Sequence, residues 1–533
     1  MRRFLTFLVV VVLCIPASQK HAHGQFSRQT SKIDALMQLI AYAYVDSTDR
    51  EELTDDAIRA ILEDLDPHSV YIPADELKKM NEPLEGKFEG IGIQFNIFRD
   101  TIMVTRPIPG GPSEKLGIRT GDRIVTIDGE NVASTGITNT DVMDKLRGDK
   151  GTKVTVEIYR RREPGLLEFE ITRDKIPLYS VDASYMAEPG IGYIKISRFA
   201  DSTVEEFKEA LADLKKEGLE SLILDLSGNG GGYLNRAIEL ADEFLPAGKQ
   251  IVYTEGRSSP RQSYDATAIG GFESGKLVVL IDEASASASE IVSGAVQDWD
   301  RGLLIGRRSF AKGLVQKPFP LPDGSAVRLT IARYYTPAGR CIQKPYEEGE
   351  EDYDLDLANR YRNGELYSAD SIQFDDSLKY FTDGERVVYG GGGIMPDIFV
   401  PLDTTQNSKY LSDLVRKSVL FDFALDYTDK NRNKLLGKYP DIYNYKENFE
   451  VSQELVDKLI AFGENEDLPF DTAGYNTSEA MIRTQIKALI ARDLWDLSAF
   501  YQIYNDSHPF YKKALECLHD DTFSKMKIAA IKD

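Results

Sequence analysis

The chain is 533 residues long, 42% hydrophobic, with a formal net charge of −22 at pH 7. That length calls for three or four domains with sizeable cores and does not read as disordered. The charge argues against nucleic acid as a partner, because phosphate is repelled by so acidic a surface.

Residues 1–24 carry two arginines, an apolar run from Phe4 to Ile15 and a polar stretch ending at Gly24. This is the pattern of a secretory signal peptide, and it predicts export to the periplasm or cell envelope. The run is shorter than the ~20 residues a spanning helix needs, so an uncleaved anchor is the lesser alternative. Only Cys341 and Cys517 would remain after cleavage. Two distant cysteines make neither a disulfide framework nor a zinc site, and no metal is expected.

Residues 25–85 read as helical. Ile33, Leu36, Met37, Ile40 and Tyr44 fall on one stripe, as in a small cap or a dimerisation segment. His68 lies here. From 86 to 175 the texture is short strands and turns, with an Asp128-Gly129 hairpin signal. One helix interrupts them; Thr140 is its expected cap, Val142 and Leu146 share a face, and Gly148 ends it.

From 176 to 405 strands alternate with helices, which argues an α/β layer. Ser202 and Glu205 have the spacing of a capping box. The acidic run 347–356 reads as a solvated insertion. Residues 406–533 are helical and rich in tyrosine, with no chemical motif. They could mediate a homo-oligomer or dock an adaptor.

The α/β region has no histidine, so a serine nucleophile there would need another base. Lysine is the usual substitute, provided burial lowers its pKa well below the ordinary ~10.4. Ser287 sits in "SASASE", just before a helix whose first turn offers free N–H groups, among them that of Ala288. Lys312 follows one helix and one strand later, among Phe310, Leu314 and Val315. Ser285 and Ser289 read as small neighbours that leave room for a substrate backbone. The glycine loop 227–234 could supply a second N–H to an oxyanion. A rival pairing, Ser309 with Lys312 as S-x-x-K, would require both on one helical turn.

These residues resemble peptidase family S41, the carboxyl-terminal processing or tail-specific proteases. The resemblance runs through "LDPHSVYIP" (65–73), "GGYL" (231–234), "SASASEIVSGAVQD" (285–298), "FAKGLVQ" (310–316), "RYYTPAGRCIQ" (333–343) and "GGIMPD" (392–397), in that order. It implies a multidomain α/β fold: a ClpP/crotonase-like ββα protease core, an inserted mainly-β PDZ domain at 86–175, and helical N- and C-terminal segments. It implies Ser287 as nucleophile, Lys312 as general base, Gln316 as the residue that holds the lysine, and Glu290 in support, though Glu290 also reads as an ordinary first-turn acid. Gly232 and Ala288 would provide the oxyanion N–H groups. Gly90, Ile91, Gly92 and Ile93 would form the PDZ loop that takes a peptide carboxylate. Protein C-termini are the implied partners, and no cofactor is implied.

Two departures stand out: Ser227 where the family commonly has arginine, and Ala311 where it commonly has glycine. Both leave room for a catalytically inactive PDZ scaffold; a second alternative, acyl-CoA chemistry on a crotonase-like core, is favoured by neither the PDZ segment nor the signal peptide.

Overall fold

The computed structural model describes residues 30–161, 163–268, 270–347 and 349–528. The expected signal segment 1–24 lies outside the described residues. Among the described residues no helix is long and apolar enough to cross a membrane. The described residues up to Leu65 and those from Asp66 onward form two compact units. The first holds helices Thr30–Ala43 and Arg50–Glu63, the second of them capped by Asp49, whose carboxylate accepts the Glu51 and Glu52 N–H groups. Ile33, Leu36 and Tyr44 on the expected stripe are exposed.

The second unit is built on a six-stranded sheet in the order Val181–Glu188, Ile191–Ile196, Ser221–Asp225, Lys276–Ile281, Leu303–Gly306, Ile398–Phe399. All neighbours are parallel except the first hairpin. Strands such as Ser221–Asp225 are near-continuous apolar runs because both faces of the sheet are covered. On one face Leu222, Leu224, Leu277 and Val279 pack with Phe207, Leu240, Ile291 and Ala295 from three helices. On the other, Ile223, Val278 and Leu280 meet Phe510, Tyr511 and Ala514 of the helix Pro509–His519. The last part of the C-terminal segment therefore completes the α/β core, while residues 410–504 hold a separate helical core.

A second sheet joins Val70–Ile72, Ala326–Tyr335, Gln250–Gly256 and Ser259–Asp265, with Leu314–Pro320 also paired to Ala326–Tyr335. The strand Val70–Ile72 is unforeseen in a stretch that reads as helical; three extended residues after a Pro-His turn are too short to carry a period.

Residues 87–177 form a small β domain. Its sheet runs Ile93–Ile97, Ile102–Pro107, Arg123–Ile127, Lys153–Tyr159, Leu166–Thr172, with Ile93–Ile97 as an edge. Its helix Asn139–Leu146 is capped by Thr138, not Thr140: Thr138 Oγ1 accepts from Asp141 N–H, and the Asp141 carboxylate accepts the Thr138 N–H in return. The helix stops at Leu146, ahead of Gly148. The Ser202–Glu205 capping box does not form either. Ser202 has helical φ and ψ, and its hydroxyl donates to Glu206, whose other oxygen accepts the Ser180 and Val181 N–H groups. Thr138 is chosen over Thr140 by its local box with Asp141, whereas Glu206 is engaged by the tertiary contact with Ser180 and Val181.

Candidate active site

The candidate site forms where the parallel strands Ser221–Asp225 and Lys276–Ile281 end, as ligand sites of open α/β sheets do. Each strand feeds a loop into a helix, and Asp282 and Asn229 bind the two loops together. Asp282 Oδ1 accepts the Gly228, Ala284 and Ser285 N–H groups. Asn229, fully buried, accepts at its carbonyl from Ala286 N–H and Ser289 Oγ. Its side chain accepts Gly231 N–H and donates to Ile196 O. Ser285 and Ser289 are therefore buried fasteners between the loops, with Ser285 Oγ donating to Leu226 O at 2.8 Å. They do not leave space for substrate; small buried hydroxyls find backbone acceptors, which sequence alone does not show.

Ser287 stands at the N-terminus of the helix Ala288–Asp298 with φ 55° and ψ −110°. A non-glycine residue in that region is strained, and such strain persists only where neighbours enforce it. Here the enforcing group is Glu290. It is fully buried, and its carboxylate accepts four hydrogen bonds: Ser287 N–H at 2.8 Å, Ala311 N–H at 2.8 Å, Lys312 N–H at 2.9 Å and Ser309 Oγ at 2.5 Å. Burial pushes the Glu290 pKa up, and these four donors pull it back. Because all four are donors, the group they fit is the carboxylate. Glu290 thus ties the backbone of Ser287 to that of Lys312. Tyr334, also buried, repeats the tie: its hydroxyl lies 3.2 Å from Ser287 O and 2.6 Å from Lys312 O. Tyr334 sits inside "RYYTPAGRCIQ", but nothing in that string distinguishes it from Tyr335.

Ser287, Lys312 and Gln316 line one cleft of about 610 Å³, together with Gly230, Gly231, Gly232 and Arg328. No hydrogen bond closes between the Ser287 hydroxyl and the Lys312 ammonium, or between Gln316 and Lys312. Gln316 Nε2 is buried without a partner. Burial lowers the Lys312 pKa, the Arg328 charge lowers it further, and Glu290 and Asp66 oppose. A Cβ on Gly231 would lie 2.9 Å from both Ala286 O and Ser287 Cβ, so only glycine fits against the serine. Gly232 has φ 152°, and a Cβ there would run into Phe199 O. The Gly232 and Ala288 N–H groups have no hydrogen-bond partner among the described residues.

Ser309 and Lys312 lie on a loop and not on a helical turn, so the S-x-x-K arrangement is absent. Ala311 is fully buried at φ 78°. For alanine this region costs about 1 kcal/mol relative to glycine. We expect Ala311→Gly to leave the loop intact and to raise stability by up to ~1 kcal/mol, as read by chemical denaturation; a loss of stability would show that the methyl group packs usefully. At the other departure, Ser227 Oγ donates to Asp225 at 2.5 Å, and Lys195 both donates to Ser227 O and pairs with Asp225 at 3.2 Å. The loop is thus anchored without an arginine.

The acidic run 347–356 is solvated at its acids, with Glu347, Glu351, Asp352 and Asp354 exposed, but it is more than a surface insertion. It starts the helix Glu350–Arg362, which buries Tyr353 and braces the lysine loop: Arg360 donates to Ser309 O at 2.7 Å. His68 lies in the turn before Val70–Ile72, with Nε2 2.8 Å from Tyr353 Oη. Burial first, then the nearby Lys312 charge, lower its pKa to about 4, so the imidazole is neutral beside the lysine. It makes no hydrogen bond to Ser287, and no Ser-His-Asp triad exists among the described residues. Cys341 and Cys517 are free thiols.

In the β domain, Gly92 has φ 74°, and Ile91 O accepts from Ser113 N–H and Oγ. The Ile91 and Gly92 N–H groups are left without partners among the described residues. They lie beside the open edge of Ile93–Ile97, with Gly90 against the end of the helix Asn139–Leu146.

Comparison with known proteins agrees with this layout. Residues 190–353 match peptidase family S41, residues 103–160 a PDZ domain, residues 14–76 an "activating protease CtpB N-terminal domain", and residues 410–496 a family of unknown function. The chain is 33% identical over 376 residues to the carboxy-terminal processing protease CtpB of Bacillus subtilis, covering 70% of this chain and 76% of that one. It is 35% identical over 355 residues to a carboxy-terminal-processing protease of Bartonella bacilliformis, covering 64% and 81%. Among solved structures, the photosystem II D1 C-terminal processing protease is similar at 27% identity over 71% of this chain and 89% of that one, with a TM-score of 0.37. The chain belongs to peptidase family S41: it is a serine-type carboxy-terminal processing protease that carries a PDZ domain.

Proposed function

We propose that this protease works through a Ser287–Lys312 dyad on proteins whose C-terminal residues are captured by the PDZ domain, after export to the periplasm or cell envelope. The observation that carries the reading is the shared tie of the two backbones to the Glu290 carboxylate, with both side chains lining one cleft.

Lys312 takes the proton of Ser287 Oγ as the serine attacks the scissile carbonyl. Negative charge grows on the carbonyl oxygen, where the Gly232 and Ala288 N–H groups can donate; each such donor contributes roughly 3–4 kcal/mol in comparable sites. The protonated lysine then gives its proton to the leaving amine. Water, deprotonated by the same lysine, releases the acyl group and restores Ser287. Gln316, with an unpaired amide in the cleft, can accept the lysine's N–H through its oxygen once substrate has expelled water. In the PDZ domain, a tail would add as a strand beside Ile93–Ile97, with its carboxylate on the Ile91 and Gly92 N–H groups.

Only the neutral amine of Lys312 can accept a proton. Activity is therefore absent where the lysine is charged and rises with pH through its lowered pKa. We expect the acid limb of kcat against pH to lie clearly below the ordinary lysine value of ~10.4. An acid limb at the ordinary value would contradict the base assigned here. The function itself is tested by incubating a protein that ends in an apolar tail with wild type and with Ser287→Ala. Cleavage by wild type alone, and loss of cleavage when the tail is removed, is the expected result.

A further inference from the structure

Arg328 is a cation in the wall of the cleft that no group answers among the described residues. It stands on the strand Ala326–Tyr335, between Val70 on one neighbouring strand and Pro318 on the other. Its side chain lines the cleft with Ser287, Lys312 and Gln316. Its guanidinium has no hydrogen bond, ion pair or ring contact among the described residues. The carboxylate that lines the same cleft, Glu85, is not paired with it.

Such a placement is unfavourable to the free protein. Half-buried arginine normally finds a carboxylate or carbonyl for its five donors, and here it instead repels the neighbouring Lys312. A cation held without a partner beside a lysine that must be neutral is a feature that substrate binding would resolve.

We infer that Arg328 is a specificity residue that receives a carboxylate of the bound substrate, at a position some residues away from the scissile bond. The spacing along the strand sets that position. Tyr334, whose hydroxyl touches Ser287 O, lies six residues from Arg328 on the one strand, about 20 Å when extended. This separation of the backbones assigns the carboxylate to a neighbour of the cut residue pair. The carboxylate has two chemical sources, an Asp or Glu side chain or the free C-terminus of a short tail, and a guanidinium can donate two parallel hydrogen bonds to either.

This inference rests on the dyad reading, so its test reads binding as well as turnover. One peptide is made with a single Glu moved stepwise along both flanks of the cut site, and as the matching Gln series. Further copies carry a free or an amidated C-terminus. kcat/KM is measured on wild type, Arg328→Gln and Arg328→Lys. Affinity is measured by fluorescence anisotropy on Ser287→Ala and on Ser287→Ala combined with Arg328→Gln. We expect one position at which Glu is preferred to Gln by about tenfold or more, the range of a charge-assisted hydrogen bond. That ratio should fall to near one in Arg328→Gln and survive in part in Arg328→Lys. If the Arg328-dependent preference instead follows the free over the amidated terminus, the terminal carboxylate is the source. Ratios that are the same with and without Arg328, in turnover and in binding, overturn the inference. If wild type cuts no peptide at all, the dyad reading fails, and the binding ratios still decide the role of Arg328.

Discussion

Lys312→Ala and Ser287→Ala should each lower proteolysis by about 10⁴-fold or more, because residues that act as a unit lose most of the rate when either is removed. The two variants should be indistinguishable in rate, and the double variant no worse than either. The lysine variant also carries a signature that a structural lysine would not show. Burial lowers the Lys312 pKa, so between that value and ~10.4 the unfolded chain binds more protons than the folded one. Folding stability then rises with pH across this window, and at neutral pH the buried charge opposes folding. Lys312→Met should therefore raise the unfolding temperature at neutral pH while abolishing activity. The gain should shrink as the pH approaches ~10. A lysine that served packing or an ion pair would give the opposite sign.

Glu290→Gln should be the most damaging isosteric change in the molecule. The carboxylate accepts three backbone N–H groups and one hydroxyl with no exposure to water. An amide keeps one acceptor oxygen and turns an NH₂ toward donors, leaving buried N–H groups unpaired. Breaking a buried charged arrangement of this kind costs on the order of 3–5 kcal/mol. The strained Ser287 conformation and the Lys312 loop would both relax. A displacement of ~1 Å between reacting groups is worth about 10²-fold in rate, so kcat should fall by at least that much. Denaturant unfolding and kcat measured on one preparation check both effects. A Glu290→Gln protein that is less stable but turns over at the wild-type rate would confine Glu290 to structure.

Much of this site was legible in the sequence, for reasons that can be named. Ser287 stands out because a serine among alanines precedes an apolar helix in a region without histidine. Lys312 stands out because it follows after one helix and one strand, a path that can return to the helix start. What the sequence withheld is long-range partnering. The i,i+3 spacing of Ser287 and Glu290 suggests a first-turn acid, yet Glu290 takes three of its four hydrogen bonds from residues 19 to 22 positions away. Ser285 and Ser289 look like spacers until Leu226 O and Asn229 O are placed against them. Tyr353 is hidden by the acids around it, whose charge suggests solvent although one face of that helix is buried.

The fold shows the same division. The alternation of apolar strands with amphipathic helices was enough to place an α/β core, and the run of short strands and turns a small β domain before it. The strand Val70–Ile72 was not readable, because it gains its identity only by pairing with Ala326–Tyr335. Nor was the covering of the back of the sheet by Pro509–His519 readable, since an amphipathic helix does not name the face it will meet.

Ser287 Oγ is the atom expected to be acylated. An ester of a cleaved peptide, mixed with wild type and quenched in acid within the first turnover, should leave its acyl half bound to the protein. Mass spectrometry of the digested protein should place that mass on Ser287, and Ser287→Ala should carry none. Acylation of another residue, or steady hydrolysis with no acyl-protein formed under conditions where deacylation limits the rate, would contradict it.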